Sequence, residues 1–235
     1  GFFIIEDASH AIGGRYKGNP IGNCEFSDLT VFSFHPVKIV TTAEGGVVTT
    51  NSKELAAKLE LLRSHGITRD PSLMLGESHG GWYYEQIELG YNYRMTEMQA
   101  ALGVSQMQRL HDFVSKRNEI ANEYDSLLLG LPLVIPKQHV DSYSGRHLYV
   151  ILLKLDEIQL THKEVFDELR SAGIGVSLHY IPIHTQPYYR QLGFKDGSFP
   201  TSENYYSRAI SLPLFHAMSD DDRRAVVNTL KSVLA

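Results

Sequence analysis

Several things are scarce in this chain, and each scarcity narrows the reading. A single cysteine, Cys24, among 235 residues excludes an internal disulfide and the disulfide-stapled scaffold of a small secreted protein, and it suits a reducing cytosol. Positive charge is not in excess. Lys and Arg number 22 against 27 Asp and Glu, a net charge of −5, so the footprint of a nucleic-acid binder is missing and none is expected as partner. The longest apolar run, around Leu148–Leu153, falls far short of the ~20 residues that cross a bilayer. No basic, apolar signal segment stands at the start, so a cytoplasmic protein is expected. The start also lacks something its first residues require. Gly1 leads directly into Phe2-Phe3-Ile4-Ile5, and a buried parallel-type strand with nothing before it has no neighbour to pair with. The chain therefore reads as a fragment, or as one piece of a nicked protein.

What is present is ordinary globular composition, 43% hydrophobic and 21% charged, at a length that buries a real core. Apolar strand-like runs alternate with amphipathic ones, which argues for an α/β fold. Strands are expected at Phe2–Ile5, Leu29–Phe34 and Gly46–Thr50, with turns across Gly13–Gly22. A helix capped by Ser52 puts Leu55, Leu59 and Leu62 on one face. Residues 68–93, rich in Gly and Tyr, read as a long functional loop. Thr96 and Gln99 make a capping box for a helix with Met98, Ala101 and Leu102 inward, and a longer helix covers about 112–129. Then come a strand at Arg146–Leu155, a capping box at Thr161 and Glu164, strands at Ile174–Tyr180 and Ala209–Leu212, and a last helix starting at Ser219. The expected division is 1–111 for a first, α/β lobe and 112–235 for the long helix and a compact α+β lobe.

The chemistry concentrates near the start. Asp7 ends the first apolar run, in Glu6-Asp7-Ala8-Ser9-His10-Ala11, and Lys38 follows it by 31 residues in Ser33-Phe34-His35-Pro36-Val37-Lys38. A lysine amine able to form a Schiff base and an aspartate able to keep a pyridine nitrogen protonated are the two groups that pyridoxal phosphate (PLP) chemistry needs most. An isolated strand-end Asp more often caps a turn, and an isolated lysine is more often a surface residue. The pair changes both readings. Lys38 lies between an apolar strand and the turn Thr41-Thr42-Ala43-Glu44-Gly45-Gly46, where desolvation lowers an amine's pKa. Ser33 could donate to a phosphate, His10 could bond a phenolic oxygen, and Ser9 could lie under a ring; for each the alternative is a turn-stabilising hydrogen bond.

These strings, with Gly90-Tyr91-Asn92-Tyr93-Arg94-Met95 and His179-Tyr180-Ile181-Pro182-Ile183-His184, resemble the DegT/DnrJ/EryC1/StrS family of sugar aminotransferases along essentially the whole chain. The resemblance implies the PLP-dependent transferase fold (fold type I, as in aspartate aminotransferase), here without the N-terminal part of its large domain. It implies PLP as cofactor and no metal. Lys38 matches the lysine that carries the cofactor, Asp7 the pyridine partner, His10 the group near the phenolic oxygen, and Ser33 a phosphate ligand. Asn92 matches an asparagine reaching the cofactor phosphate of a neighbouring subunit, hence a homodimer with shared sites. His179, Tyr180 and His184 fall where the family meets the nucleotide sugar, although the histidines could equally be structural. Leu62–Arg69, Trp82–Gln86 and Gln186–Tyr189 are most like the branch that aminates UDP-linked 4-keto-6-deoxy hexoses for pseudaminic acid, with glutamate as donor.

Other outcomes are a different keto sugar (dTDP-linked or 3-keto) and a truncated fragment without catalysis. A related sugar dehydratase carries histidine at the lysine position, which Lys38 opposes. A general amino-acid aminotransferase would need an arginine clamp, for which Arg94 and Arg146 are available.

Overall fold

The computed structural model describes residues 1–235 and divides into two compact units, Gly1–Leu110 and His111–Ala235.

In the first unit, β1 (Ile5–Asp7) is followed by a short antiparallel pair, β2 (Arg15–Tyr16) and β3 (Asn19–Pro20), joined by Lys17 and Gly18. Both joining residues have positive φ, 49° and 82°, as the tightest hairpin turn requires. Strand β4 (Leu29–Ser33) lies parallel to β1, and β5 (Gly46–Thr49) runs antiparallel along β4's other edge. The first strand starts later than the expected Phe2–Ile5. Its register is set by β4: Ile5 stands opposite Leu29 and Asp7 opposite Val31, while Phe2 and Phe3 stay exposed.

Helix α1 (Lys53–Leu62) begins where Ser52 Oγ accepts the Leu55 N–H at 3.2 Å. The stretch after it is not wholly irregular. β6 (Ile67–Thr68) pairs with β7 (Glu85–Gln86), and the Glu85 carboxylate gathers the intervening loop by accepting from Leu75 N, Gly76 N and Tyr83 Oη at 2.6, 2.9 and 3.0 Å.

Helix α2 (Glu97–Met107) starts at the Thr96–Gln99 capping box but presents a different face from the expected one. Met98 is 83% exposed and Leu102 39%. The buried position is Gly103, where a Cβ would stand 2.8 Å from Thr42 Cγ2. This close approach, which a hydrophobic pattern does not register, decides the helix's orientation.

The second unit is built on α3 (Leu110–Leu127), whose Phe113, Val114, Ile120, Ala121 and Tyr124 are buried. The next elements are β8 (Leu133–Val134), β9 (Ser142–Tyr143), β10 (Tyr149–Leu153), α4 (His162–Ser171), α5 (Pro187–Gln191), α6 (Pro200–Tyr206), β11 (Ala209–Leu212) and α7 (Asp220–Leu234). Strand β10 is the middle of an antiparallel sheet ordered β11-β10-β8. Tyr149, Ile151 and Leu153 project from one side of it into a core shared with Val165 and Leu169 of α4 and Val226, Val227 and Leu230 of α7.

Arg117 is buried in this unit with no carboxylate for a partner. Its Nη1 donates to the carbonyls of Arg146 at 3.2 Å and Leu214 at 2.8 Å, and burial pulls its pKa down to about 10. β10 starts three residues later than expected because Arg146 adopts φ +51°, a left-handed conformation that interrupts an extended run. The strand expected over Ile174–Tyr180 is reduced to one bridge, Ser177 with Ser211.

Ile151 is fully buried on the central strand. Ile151→Ala is expected to lower the unfolding free energy by about 2–5 kcal/mol in denaturant titration, against under ~0.5 kcal/mol for exposed Leu129→Ala.

Candidate active site

Asp7 closes β1, and the parallel ladder runs one bond further, Ala8 N–H donating to Val31 O at 2.9 Å. The C-terminal ends of β1 and β4 therefore lie side by side, where open α/β sheets gather ligand groups. Ser9 donates both its N–H (3.0 Å) and its hydroxyl (2.5 Å) to Asp7 Oδ1. These two bonds, ahead of the charges of His10 and Lys38, hold the Asp7 carboxyl below the usual range. Oδ2 accepts no hydrogen bond from the chain. Asp7 is thus ionised although exposed, and Ser9 acts on it from the side.

Ser33 ends β4, its Oγ accepting the His35 N–H at 3.4 Å. From there the chain makes a closed loop back to β5. Phe34 N–H donates to Gly45 O at 2.8 Å and Thr42 N–H to Phe34 O at 3.0 Å. The Thr41 hydroxyl also reaches Phe34 O, at 3.2 Å, and the Thr42 hydroxyl donates to Glu44 O at 2.7 Å. Thr42 is fully buried. Gly45 has φ +153°, and a Cβ there would collide with Thr42 Oγ1 and come within 2.6 Å of Met95 Cε. Glycine is the residue this turn admits.

Lys38 rides on that loop, its N–H bonded to His35 O at 2.9 Å, with Ile39 and Val40 buried behind it. Its Nζ makes no hydrogen bond and no ion pair in the chain. Burial lowers the amine's pKa, and the charge of Asp7 opposes this with a smaller effect. The structure therefore brings Asp7, Ser9, His10 and Lys38 into one electrostatic cluster with Ser33 at the adjoining strand end. Asn92 is elsewhere. It pairs across to Ser64 near the end of α1, and its exposed side chain bonds to nothing in its own chain.

The other sequence candidates lie in the second unit. His179 Nδ1 shares a 2.7 Å hydrogen bond with Ser211 Oγ, and its ring meets Tyr180 edge-on at 4.6 Å. Tyr180 is 60% exposed. His184 is buried, its Nε2 donating to Glu203 Oε1 at 2.7 Å. Of the two arginines, Arg94 is exposed, whereas Arg146 is buried with Asp125 Oδ2 at 4.0 Å, inside its own unit. Ser211 and Glu203 drew no notice in the sequence, because nothing in their spacing ties them to residues 32 and 19 positions away.

PLP fits the first cluster by the chemistry of its groups. An ionised carboxylate with one open oxygen suits a protonated pyridine nitrogen, and an unbonded, desolvated amine suits an aldehyde.

The model for the DegT/DnrJ/EryC1/StrS aminotransferase family matches residues 1–231. The chain is 40% identical to the Bacillus subtilis spore coat polysaccharide biosynthesis protein SpsC, over 100% of its own length and 60% of the relative's. It is 39% identical to a Campylobacter jejuni UDP-4-amino-4,6-dideoxy-N-acetyl-β-L-altrosamine transaminase, over 98% and 58%. Among solved structures it superposes on Helicobacter pylori PseC, an aminotransferase involved in pseudaminic acid biosynthesis, with TM-score 0.88 at 31% identity, covering 99% of this chain and 60% of that one. Matched structures include PLP- and PMP-loaded forms. The chain spans about 60% of the length of the curated relatives it matches.

If Asp7 raises the Lys38 amine as the geometry implies, Asp7→Asn leaves only the lowering effect of burial. The pH at which Lys38 becomes reactive toward trinitrobenzenesulfonate, read by peptide mapping, is expected to move down in the variant, with Lys53 and Lys163 unchanged. An unmoved Lys38 profile would disconnect the two groups.

Proposed function

The chain belongs to the DegT/DnrJ/EryC1/StrS aminotransferase family, whose cofactor is pyridoxal 5′-phosphate and whose fold is that of the fold type I transferases, and on that premise we propose that it carries half of a PLP site in an enzyme that aminates a nucleotide sugar. The amino group comes from glutamate, and the acceptor is a UDP-linked 4-keto-6-deoxy hexose of pseudaminic acid or related surface-glycan synthesis. The observation that carries the reading is the junction of an ionised Asp7, at the end of β1, with a partly buried, unbonded Lys38 on the loop that follows β4. The Campylobacter relative supports the UDP-linked 4-keto sugar. The Bacillus relative, at nearly the same identity, keeps other keto sugars in play.

PLP bound here supplies an electron sink for the carbanion formed when the amino-bearing carbon loses its proton. The residues of this chain prepare for that. Asp7 Oδ2 would hold a proton on the pyridine nitrogen, and Ser9 keeps Asp7 ionised and oriented. His10 would serve the phenolic oxygen and the Ser33 hydroxyl the phosphate. Lys38 Nζ, weakened as an ammonium by burial, takes the proton from the donor's amino-bearing carbon and, over the two halves of the reaction, returns one to the sugar carbon that receives the amine. His179, Tyr180 and His184 form the sugar-facing segment.

Asn92, exposed and unbonded in its own chain, serves the phosphate of a second copy, so the enzyme is a homodimer with shared sites. The exposed apolar side chains Met98 and Leu102, one turn apart on α2, support this. With one cysteine and no helix long and apolar enough to cross a membrane, the cytoplasm is the fitting compartment. Gly1–Leu110 is then the C-terminal part of the cofactor domain and His111–Ala235 the long helix and small domain. A second reading, a folded lobe without catalysis, draws support from the exposure of Asp7.

Incubation with PLP followed by borohydride and peptide mapping is expected to label Lys38, and Lys38→Arg to abolish that label. In the longer protein, Lys38→Ala is expected to lower amination of a UDP-keto-sugar by at least about 10³-fold. A label chiefly on another lysine would sink the assignment, and a folded chain that takes no label would favour the non-catalytic lobe.

A further inference from the structure

The segment from His179 to His184 has an exposed middle and two anchored ends. Leu178, Tyr180 and Ile181 sit outside every backbone ladder, and the only strand-like contact nearby is the pair of bonds between Ser177 and Ser211 at 3.2 and 2.8 Å. Tyr180, Ile181 and Ile183 are exposed, while Pro182 and His184 between and beyond them are buried. Leu178, Tyr180 and Ile181 make no backbone–backbone bond, and the short 3-10 turn Ile183–Thr185, closed by Thr185 N–H donating to Pro182 O at 3.0 Å, makes such bonds only locally. A fixed placement against the fold behind therefore requires side chains to impose it.

Two side-chain pairs do so. At the first end, the His179 ring is bonded to Ser211 Oγ. Ser211 is buried on β11, where its register opposite Val150 of the central strand leaves it no freedom. At the second end, His184 donates to Glu203 of α6. Glu203 is itself held, accepting the Gly197 N–H at 2.9 Å on each oxygen and the Phe199 N–H at 3.3 Å. Each histidine therefore spends one ring nitrogen on the fold behind the segment, which fixes the ring plane and the backbone it is attached to. The face left for a ligand is the one with Tyr180 and Ile181.

We propose that Ser211 and Glu203 are positioning residues that pin His179 and His184, and so present Tyr180 and Ile181 in a fixed geometry to the sugar nucleotide. This rests on the reading that the segment meets that substrate. Binding energy then depends on preorganisation: a loosened strap must be ordered at the expense of affinity, while the chemistry at Lys38 is untouched.

The test uses the protein loaded with PLP. Ser211→Ala, Glu203→Ala and the milder Glu203→Gln are compared with wild type in three measurements. The first is hydrogen exchange over residues 178–186. The second is the dissociation constant for the UDP-linked amino sugar by calorimetry, and the third is the rate of the glutamate half-reaction without sugar. The expectation is faster exchange confined to that peptide and sugar affinity about tenfold weaker in the alanine variants. The glutamate rate should stay within about twofold, and Glu203→Gln, which keeps an acceptor for His184, should fall between. Unchanged sugar affinity in variants that exchange faster would overturn the positioning role and leave the functional reading intact. An equal fall in the glutamate rate would mark a general loss of structure and also overturn it. If wild type binds no UDP-linked sugar, the functional reading fails and this inference falls with it. Glu203→Gln keeps the question open to an answer if Glu203→Ala does not fold.

Discussion

Ile5 opposite Leu29, Asp7 opposite Val31 and the Ala8-to-Val31 bond together hold β1 level with β4, and the candidate site depends on that alignment. Parallel strands end on the same side of a sheet, so two loops that are distant in sequence start from adjacent points. One loop carries Ser9 and His10, the other Lys38. A slip of one residue would turn Asp7 to the opposite face and replace the carboxylate with a neighbour of different chemistry. The antiparallel partner β5 matters as well, because it receives the chain after Lys38 and closes the loop through the bonds among Phe34, Thr42 and Gly45.

That closed loop explains why an amine with no hydrogen bond keeps a defined place. Its support is main-chain bonding behind it and a threonine with no exposure, tight against the one buried glycine of α2. Lys38 itself is left without a hydrogen-bond partner, which suits the nucleophile and proton carrier proposed for it. Asp7 has the opposite condition: its charge is secured by two short bonds from Ser9 to one oxygen, and the other oxygen is open. Commitment of the neighbours, not of the reactive groups, characterises this half of the site.

The second unit applies the same economy to a different task. A deep apolar core of β10, α4 and α7 fixes β11, and β11 offers Ser211 to His179, whose neighbours Leu178, Tyr180 and Ile181 make no backbone–backbone bond. Several buried polar side chains here are tied to backbone carbonyls or to one another: Arg117 Nη1 to two turns, Tyr149 to Asp125 at 2.6 Å, His184 to Glu203. Each such bond offsets part of the cost of burying a polar group, although Arg117 Nε and Arg146 Nε are buried without a hydrogen-bond partner.

The candidate pair, Asp7 and Lys38, and the local helix starts could be picked out from the residues alone. Thr96 with Gln99, Thr161 with Glu164 and Ser219 with Asp222 all form capping boxes, because the bonds involved span three positions and ask nothing of distant chain. Lys38 and Asp7 stood out because their surroundings, apolar strand before and glycine-rich turn after, are also local. Where β1 begins, which face of α2 is covered, how little of Ile174–Tyr180 becomes strand, and the engagement of His179 and His184 were decided only in the folded chain. Each depends on a partner many residues away: β4 for β1, Thr42 for Gly103, Ser211 and Glu203 for the two histidines. Local sequence sets what a residue is able to bond, and only the packed chain determines which distant group arrives to be bonded.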